Sequence, residues 1–273
     1  RKKSRRTVPS SFVPTTSYPI GEMGMPGTAG TAQEIQAIVF DMGGTLRTRE
    51  PYEPTQRAAI QRMFELLGVQ PSHLEELERR YASYGDWAKA NLQEATEEEI
   101  WTRWMAPDLP RGRVERAAKE LTLLWRERLG RAVVRPDAGS TLVELARRGY
   151  RLALVSNTTS SLDVPRCLDA NGWTGYFQVV ILSSTSKVRK PSPGIFWLAT
   201  RAMGIEPRHC AYLGDRISRD VVGSHTAGFG MALLIDPLNQ HVADGLRGAE
   251  KPDAVVRALS ELLGIFPPKG RSE

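Results

Sequence analysis

Five short apolar runs, separated by helical or turn-rich segments, constrain this chain more than any other feature. Residues 35–40, 152–155, 177–182, 209–213 and 231–235 are strand-length and predominantly apolar. A strand with no polar alternation has both faces buried, the condition of a parallel sheet covered by helices on each side. Helical patterns lie between the runs: Leu142 and Leu145 ahead of Gly149, Ile195 to Met203, and Leu259 to Leu263. The predicted fold is therefore α/β, with a three-layer, Rossmann-like parallel sheet at its core.

One long segment interrupts this alternation. From residue 51 the period becomes helical, with Ile60, Met63, Phe64 and Leu67 on one face and Gly68 as the stop. Leu74, Leu77, Tyr81 and Tyr84 make a second stripe, expected to end at Gly85. Thr96 and Glu99 form a capping-box pair ahead of Ile100, Trp101, Trp104 and Met105. Leu121, Leu124, Trp125 and Leu129 mark a further helix, closed by Gly130. The expected organisation is an α/β core over 34–50 and 134–266, with a helical bundle over 51–133 inserted into it. Residues 1–33 and 267–273 are expected to be tails.

Charge and cysteine content exclude several function classes. Four of the six net positive charges sit in residues 1–33, where Arg1, Lys2, Lys3, Arg5 and Arg6 face only Glu22. That segment is rich in Ser, Thr, Pro and Gly and is expected to be disordered. The basic character belongs to this tail, so no nucleic-acid partner is expected for the folded body. No run approaches the ~20 consecutive apolar residues needed to cross a bilayer. Cys167 and Cys210 are too few for a disulfide framework and read as reduced thiols. The expected compartment is cytoplasmic. Nothing in the sequence sets the oligomeric state.

In open parallel sheets, ligands bind beyond the carboxyl ends of the strands. Polar groups collect there: Asp41 after the first run, Ser156-Asn157 after the second, Lys190-Pro191 after the third, and Gly214-Asp215 after the fourth, with Asp220 five residues on. Asp41 can attack phosphorus as a carboxylate. Asp215 offers a hard oxygen ligand suited to magnesium. Lys190 and the Ser156 hydroxyl can hold phosphoryl oxygens as charge redistributes. Asp220 suits a supporting place, orienting Lys190 or the metal's surroundings; it also reads as an ordinary helix N-terminal acid. Arg47 and Arg49 leave the first motif towards the insertion, where they could meet an anionic substrate. Tyr81, Tyr84, Trp87, Trp101 and Trp104 line up either as packing or as a substrate pocket.

These motifs, in this order, resemble the haloacid dehalogenase superfamily over about residues 34–264. Asp41-Met42-Gly43-Gly44-Thr45-Leu46 is similar to its first motif, Asp-x-Asp-Gly-Thr-Leu, and Ser156 to its second. Val188-Arg189-Lys190-Pro191-Ser192-Pro193 is similar to its third, and Gly214-Asp215 through Asp220 to its fourth. The inserted bundle resembles the cap of the subfamily whose cap lies between motifs one and two. The resemblance implies a Mg2+-dependent hydrolase of small phosphorylated molecules, with Asp41, Ser156 and Lys190 catalytic. It further implies Asn157, Gly43, Gly44 and Thr45 at the substrate, and Asp41, Asp215 and the Gly43 carbonyl as metal ligands. One position departs. The family's phosphatases carry a second aspartate, the general acid–base group, where this chain has Gly43. Such catalysis is worth about 10²–10⁴-fold. Two other readings stay open: a different cleavage at Asp41, such as that of a C–P bond, or a weakly catalytic domain that binds a ligand or partner. The phosphonate-cleaving branch uses a cap lysine, for which Lys89 and Lys119 are the candidates, though solvated helix positions suit both better.

Overall fold

A computed structural model describes residues 34–240 and 246–269 of the chain. The basic segment 1–33 and residues 270–273 of the C-terminal tail lie outside the described residues. The strands are β1 (Ala37–Phe40), β2 (Arg47–Glu50), β3 (Arg131–Val134), β4 (Arg151–Ser156), β5 (Phe177–Leu182), β6 (Cys210–Gly214), β7 (Met231–Ile235) and β8 (Ala254–Val256). Six of them form one sheet in the order β5-β4-β1-β6-β7-β8, paired in parallel throughout. β1, β6 and β7 are buried at every position, as their unbroken apolar runs require.

The order places β1 between β4 and β6. Phe40 registers with Leu154 on one side and Leu213 on the other. The chain leaving β1 therefore emerges where the strand order reverses, and a crevice opens at such a point. The end of β1 is fixed further by the Asp41 amide, which donates to the Leu213 carbonyl at 2.9 Å.

The helices are α1 (Glu53–Leu67), α2 (Leu74–Asn91), α3 (Glu97–Glu99), α4 (Arg111–Glu127), α5 (Ala138–Arg147), α6 (Asp163–Ala170), α7 (Ser183–Ser186), α8 (Pro193–Met203), α9 (Val222–Thr226) and α10 (Leu262–Ile265). The single turn α3 continues into a π-helical turn, Ile100–Met105. One face of the sheet packs on Leu142, Leu145, Leu168 and Leu262, the other on Ile195, Phe196, Ala199 and Met203. Met63, Phe64, Leu67, Tyr84, Trp101, Leu121 and Trp125 form a separate apolar interior among α1, α2, the π turn and α4. Each such side chain contributes about 1.5–3 kcal/mol by leaving water.

Three local expectations change. α2 does not end at Gly85 but runs on to Asn91, because Ala88 continues the buried face set by Leu77 and Tyr84. The helix before Gly130 stops at Glu127, leaving Leu129 exposed. The chain also crosses between core and insertion on an antiparallel ribbon of β2 and β3, pairing Glu50 with Arg131 and Arg47 with Val134. The ribbon straddles the division expected at 133/134.

Candidate active site

Asp41 follows β1 directly and is 2% exposed. The loop after it folds tightly back: the Leu46 and Arg47 amides both donate to the Met42 carbonyl, and the Gly44 amide to the Arg47 carbonyl. Arg135, just beyond β3, braces this loop from outside. Its Nη2 donates to the Gly44 carbonyl and its Nε to the Thr45 carbonyl, each at 2.7 Å. Gly44 has φ +84°, and a Cβ there would stand 2.2 Å from a carboxylate oxygen of Asp215. Glycine is thus required at 44 on two counts. Gly43 is different: a Cβ built on it meets no other atom within 4 Å. Thr45 is fully buried and its hydroxyl has no hydrogen-bond partner among the described residues.

Lys190 reaches the same point from the loop after β5. Its ammonium lies 3.0 Å from Asp41 Oδ1 and 2.6 Å from Asp220 Oδ1, and donates to the Tyr212 hydroxyl at 2.7 Å. Asp220 is completely buried and also accepts from the Arg216 amide at 3.0 Å. Burial drives the Tyr212 phenol far above its ordinary pKa, with Asp220 and Asp41 adding to the effect. It therefore stays neutral and donates to the Val155 carbonyl at 3.0 Å. For Asp220, burial opposes ionisation, but Lys190 and Arg219 hold its carboxyl below the usual range. Lys190 is thus fixed at its tip by groups that cannot turn away.

Asn157 fixes the other end of that residue. Its amide nitrogen donates to the Lys190 carbonyl at 3.0 Å, and its amide oxygen accepts from the Lys190 amide at 2.8 Å. An Asn expected at the substrate therefore commits both amide atoms to the backbone of the lysine. Ser156 ends β4, buried beside this clamp.

Asp215 closes the constellation. Carboxylate oxygens of Asp41, Asp215 and Asp220 lie within 4.8 Å of one another. Burial, with Asp41 and Asp220 alongside, pushes the Asp215 carboxyl up to about 6. A set of hard anionic oxygens held this close fits a divalent cation such as Mg2+, which would relieve their repulsion.

Other expected residues lie elsewhere. Arg47 is buried in an ion pair with Asp163, which also meets Arg126 from α4 at 2.9 Å. Tyr84 and Trp101 are 1% exposed within the insertion's own interior, where Trp101 donates to Thr122 and Tyr84 to Glu94. Lys89 is exposed beside Asp86, and Lys119 is exposed on α4. Arg135, Tyr212 and Arg219 escaped notice in the sequence. Tyr212 hid inside an apolar strand, and Arg219 inside the interval before Asp220.

The family model for haloacid dehalogenase-like hydrolases matches residues 35–228. A phosphoserine phosphatase of Thermus thermophilus is 30% identical over 55% of this chain and 67% of its own length. A human N-acylneuraminate-9-phosphatase is 27% identical over 55% of this chain and 58% of its own. The chain spans between 40% and 67% of the length of the first such relatives. Among solved structures, a HAD phosphatase from Thermococcus onnurineus superposes with a TM-score of 0.57 at 25% identity, covering 86% of this chain and 99% of that one. A 2-haloacid dehalogenase from Pseudomonas syringae shares the fold, with a TM-score of 0.63 at 23% identity, over 85% of this chain and 98% of its own.

Proposed function

This chain belongs to the haloacid dehalogenase-like hydrolases, and on that premise we propose that it is a Mg2+-dependent phosphatase acting on a small phosphorylated molecule through Asp41. The observation that carries the reading is the buried carboxylate of Asp41 at the end of the central strand, held 3.0 Å from the Lys190 ammonium. A nucleophile that must approach a phosphate dianion needs fixed cations beside it, and Lys190 is fixed at both ends. The relatives named as phosphatases support the reaction class.

In the proposed reaction an Asp41 oxygen attacks phosphorus while the ester P–O bond breaks, leaving an aspartyl phosphate. Lys190 and the Ser156 hydroxyl hold the transferring oxygens, and the buried Thr45 hydroxyl is free to join them. The departing alkoxide takes its proton from solvent or from its own substrate, because Gly43 brings no carboxyl group. Water then attacks phosphorus, releasing phosphate and restoring Asp41. Asp41, Asp215 and the Gly43 carbonyl would hold the divalent ion, whose charge offsets repulsion between the anionic nucleophile and substrate. The segment 51–133 would cover this site as a cap.

One observation favours a second reading, a binding domain with little turnover. Gly43 brings no carboxyl group where the family's phosphatases carry their acid–base aspartate, and beyond its chain neighbours no atom of the described residues lies within 4 Å of where its Cβ would stand. No helix among the described residues is long and apolar enough to cross a membrane. The cysteines are unpaired, in keeping with a cytoplasmic setting.

Asp41→Asn tests the proposal, since the amide matches the carboxylate in shape but is not a nucleophile. Turnover of an aryl phosphate should vanish while the circular dichroism spectrum and melting temperature stay close to those of the parent. Undiminished turnover in the variant would remove Asp41 from the reaction.

A further inference from the structure

Arg219 stands where the carboxylates converge. It lies on the π-helical turn Ile217–Val221 between β6 and α9, one residue before Asp220. Its Nη2 is 3.2 Å from Asp215 Oδ1 and 3.8 Å from Asp41 Oδ2, and its Nε is 3.8 Å from Asp220 Oδ2. One guanidinium thus faces all three acids of the candidate metal centre. π turns inside helices commonly mark functional positions, because the widened turn re-aims a side chain.

The charge balance explains why a cation sits there. Three carboxylates face one buried ammonium, Lys190, and the mostly exposed Arg216 reaches only Asp215, at 3.3 Å, which leaves negative charge in excess in a largely buried space before Arg219 is counted. Uncompensated buried charge is strongly destabilising. Either a divalent ion or a guanidinium can offset that excess, the ion more completely.

The quality of the contacts shows which kind of cation this is. A structural arginine holds a carboxylate in a bidentate fork at about 2.7–2.9 Å. Arg219 makes one hydrogen bond to Asp215 at 3.2 Å, its other approaches are 3.8 Å, and its buried Nε makes no hydrogen bond. The side chain is one-third exposed, so it has a way out towards solvent. Lys190, by contrast, is wholly buried with contacts of 2.6–3.0 Å.

We propose that Arg219 is a tethered counter-cation of the metal centre: it compensates the Asp41–Asp215–Asp220 cluster when no ion is bound, and a divalent ion enters by displacing it. The inference rests on the metal-dependent reading above. It makes Arg219 a positioning residue whose removal tightens metal binding while weakening the metal-free fold.

The test uses the full chain, stripped of metal, with Mn2+ as the probe in isothermal titration calorimetry and melting curves taken in EDTA. Arg219→Gln should bind Mn2+ about ten- to a hundredfold more tightly than the parent, the equivalent of one charged hydrogen bond no longer lost on entry. In EDTA it should melt at a lower temperature, and saturating Mn2+ should narrow or reverse that gap. Arg219→Lys, which keeps the charge but not the planar fork, should fall between the two. Asp215→Ala should bind no Mn2+, which locates the ion. Equal affinity in the parent and both Arg219 variants, with Asp215→Ala still blind to the ion, would overturn the displacement and leave the metal reading standing. Weaker binding in Arg219→Gln would also overturn it, by making Arg219 a support of the ion. Absence of Mn2+ binding in every folded protein would overturn both.

Discussion

Two adjacent glycines do different work in the loop after β1. At Gly44 the positive φ and the nearby Asp215 carboxylate forbid a side chain, whereas at Gly43 a Cβ meets open space. The backbone that only glycine tolerates is thus at 44, not at 43. Gly43→Asp should then meet no clash at its Cβ and restore a carboxyl group on the nucleophile's own loop. If the site is a phosphatase lacking only that group, turnover of an alkyl phosphate should rise, with a ceiling of about 10²–10⁴-fold. An activated aryl phosphate should gain much less, because its leaving group departs as an anion. Both esters should be assayed in both proteins, with Asp41→Asn as the blank. If the alkyl ester gains nothing in a folded, metal-binding variant, the phosphatase proposal loses its simplest form and the binding reading gains.

The elements were legible in proportion to how far their burial showed as periodicity. β1, β6 and β7 stand within two residues of the apolar runs because both faces of those strands are covered, and the edge strand β5 matches its run although Gln178 and Val180 are exposed. β2 reads Arg-Thr-Arg-Glu and carries no strand signal, since its pairing with β3 needs backbone groups more than apolar side chains. β8, at the sheet edge, has three residues, too few for a pattern. The site divides in the same way. Asp41, Lys190, Asp215 and Asp220 stood out by their places after the strand runs and by their likeness to the family's motifs, while Arg135, Tyr212 and Arg219 act through contacts that no local pattern encodes. The capping box was legible because it is purely local. The Thr96 hydroxyl accepts from the Glu99 amide at 3.1 Å, and the Glu99 carboxylate from the Thr96 amide at 2.8 Å. It opens the turn that carries Trp101 and Met105 inward. Thr96→Ala should therefore cost about 0.5–2 kcal/mol in urea unfolding, whereas Thr96→Ser should cost far less. An unchanged midpoint in Thr96→Ala would mean that packing alone sets that turn.

At the scale of the whole molecule, the apolar interior of the insertion is separate from those flanking the sheet, and polar ties span the gap. In one, the carboxylate of Glu94 accepts from Ser183 at 2.7 Å and from Arg189 at 2.8 Å, while Tyr84 also donates to it. In another, Asp163 holds Arg47 and Arg126 together. These two acids respond to pH in opposite directions. Burial raises the Glu94 carboxyl above its ordinary 4.5 despite Arg189. The folded state then binds that proton more tightly than the unfolded chain, so folding stability gains as pH falls from the raised value to 4.5. At Asp163, burial opposes ionisation but Arg126 and Arg47 prevail, keeping the carboxyl below its ordinary 3.8. Its contribution is complete above 3.8 and is lost as pH falls through the lower, folded value. Urea unfolding from neutral pH down to 3 should separate the two in single variants. Glu94→Gln should lie close to the parent near 4.5 but lack the parent's gain on the way down to it. Asp163→Asn leaves two arginines facing no carboxylate and should lose about 3–5 kcal/mol at neutral pH, the difference shrinking below 3.8 as the parent's own carboxyl takes up its proton. Other titrating groups cancel between parent and variant, so the difference curves isolate each tie. A Glu94→Gln curve parallel to the parent's above 4.5 would remove Glu94 from the junction. A constant Asp163→Asn deficit down to the lowest pH would show that Asp163 acts there through shape rather than charge.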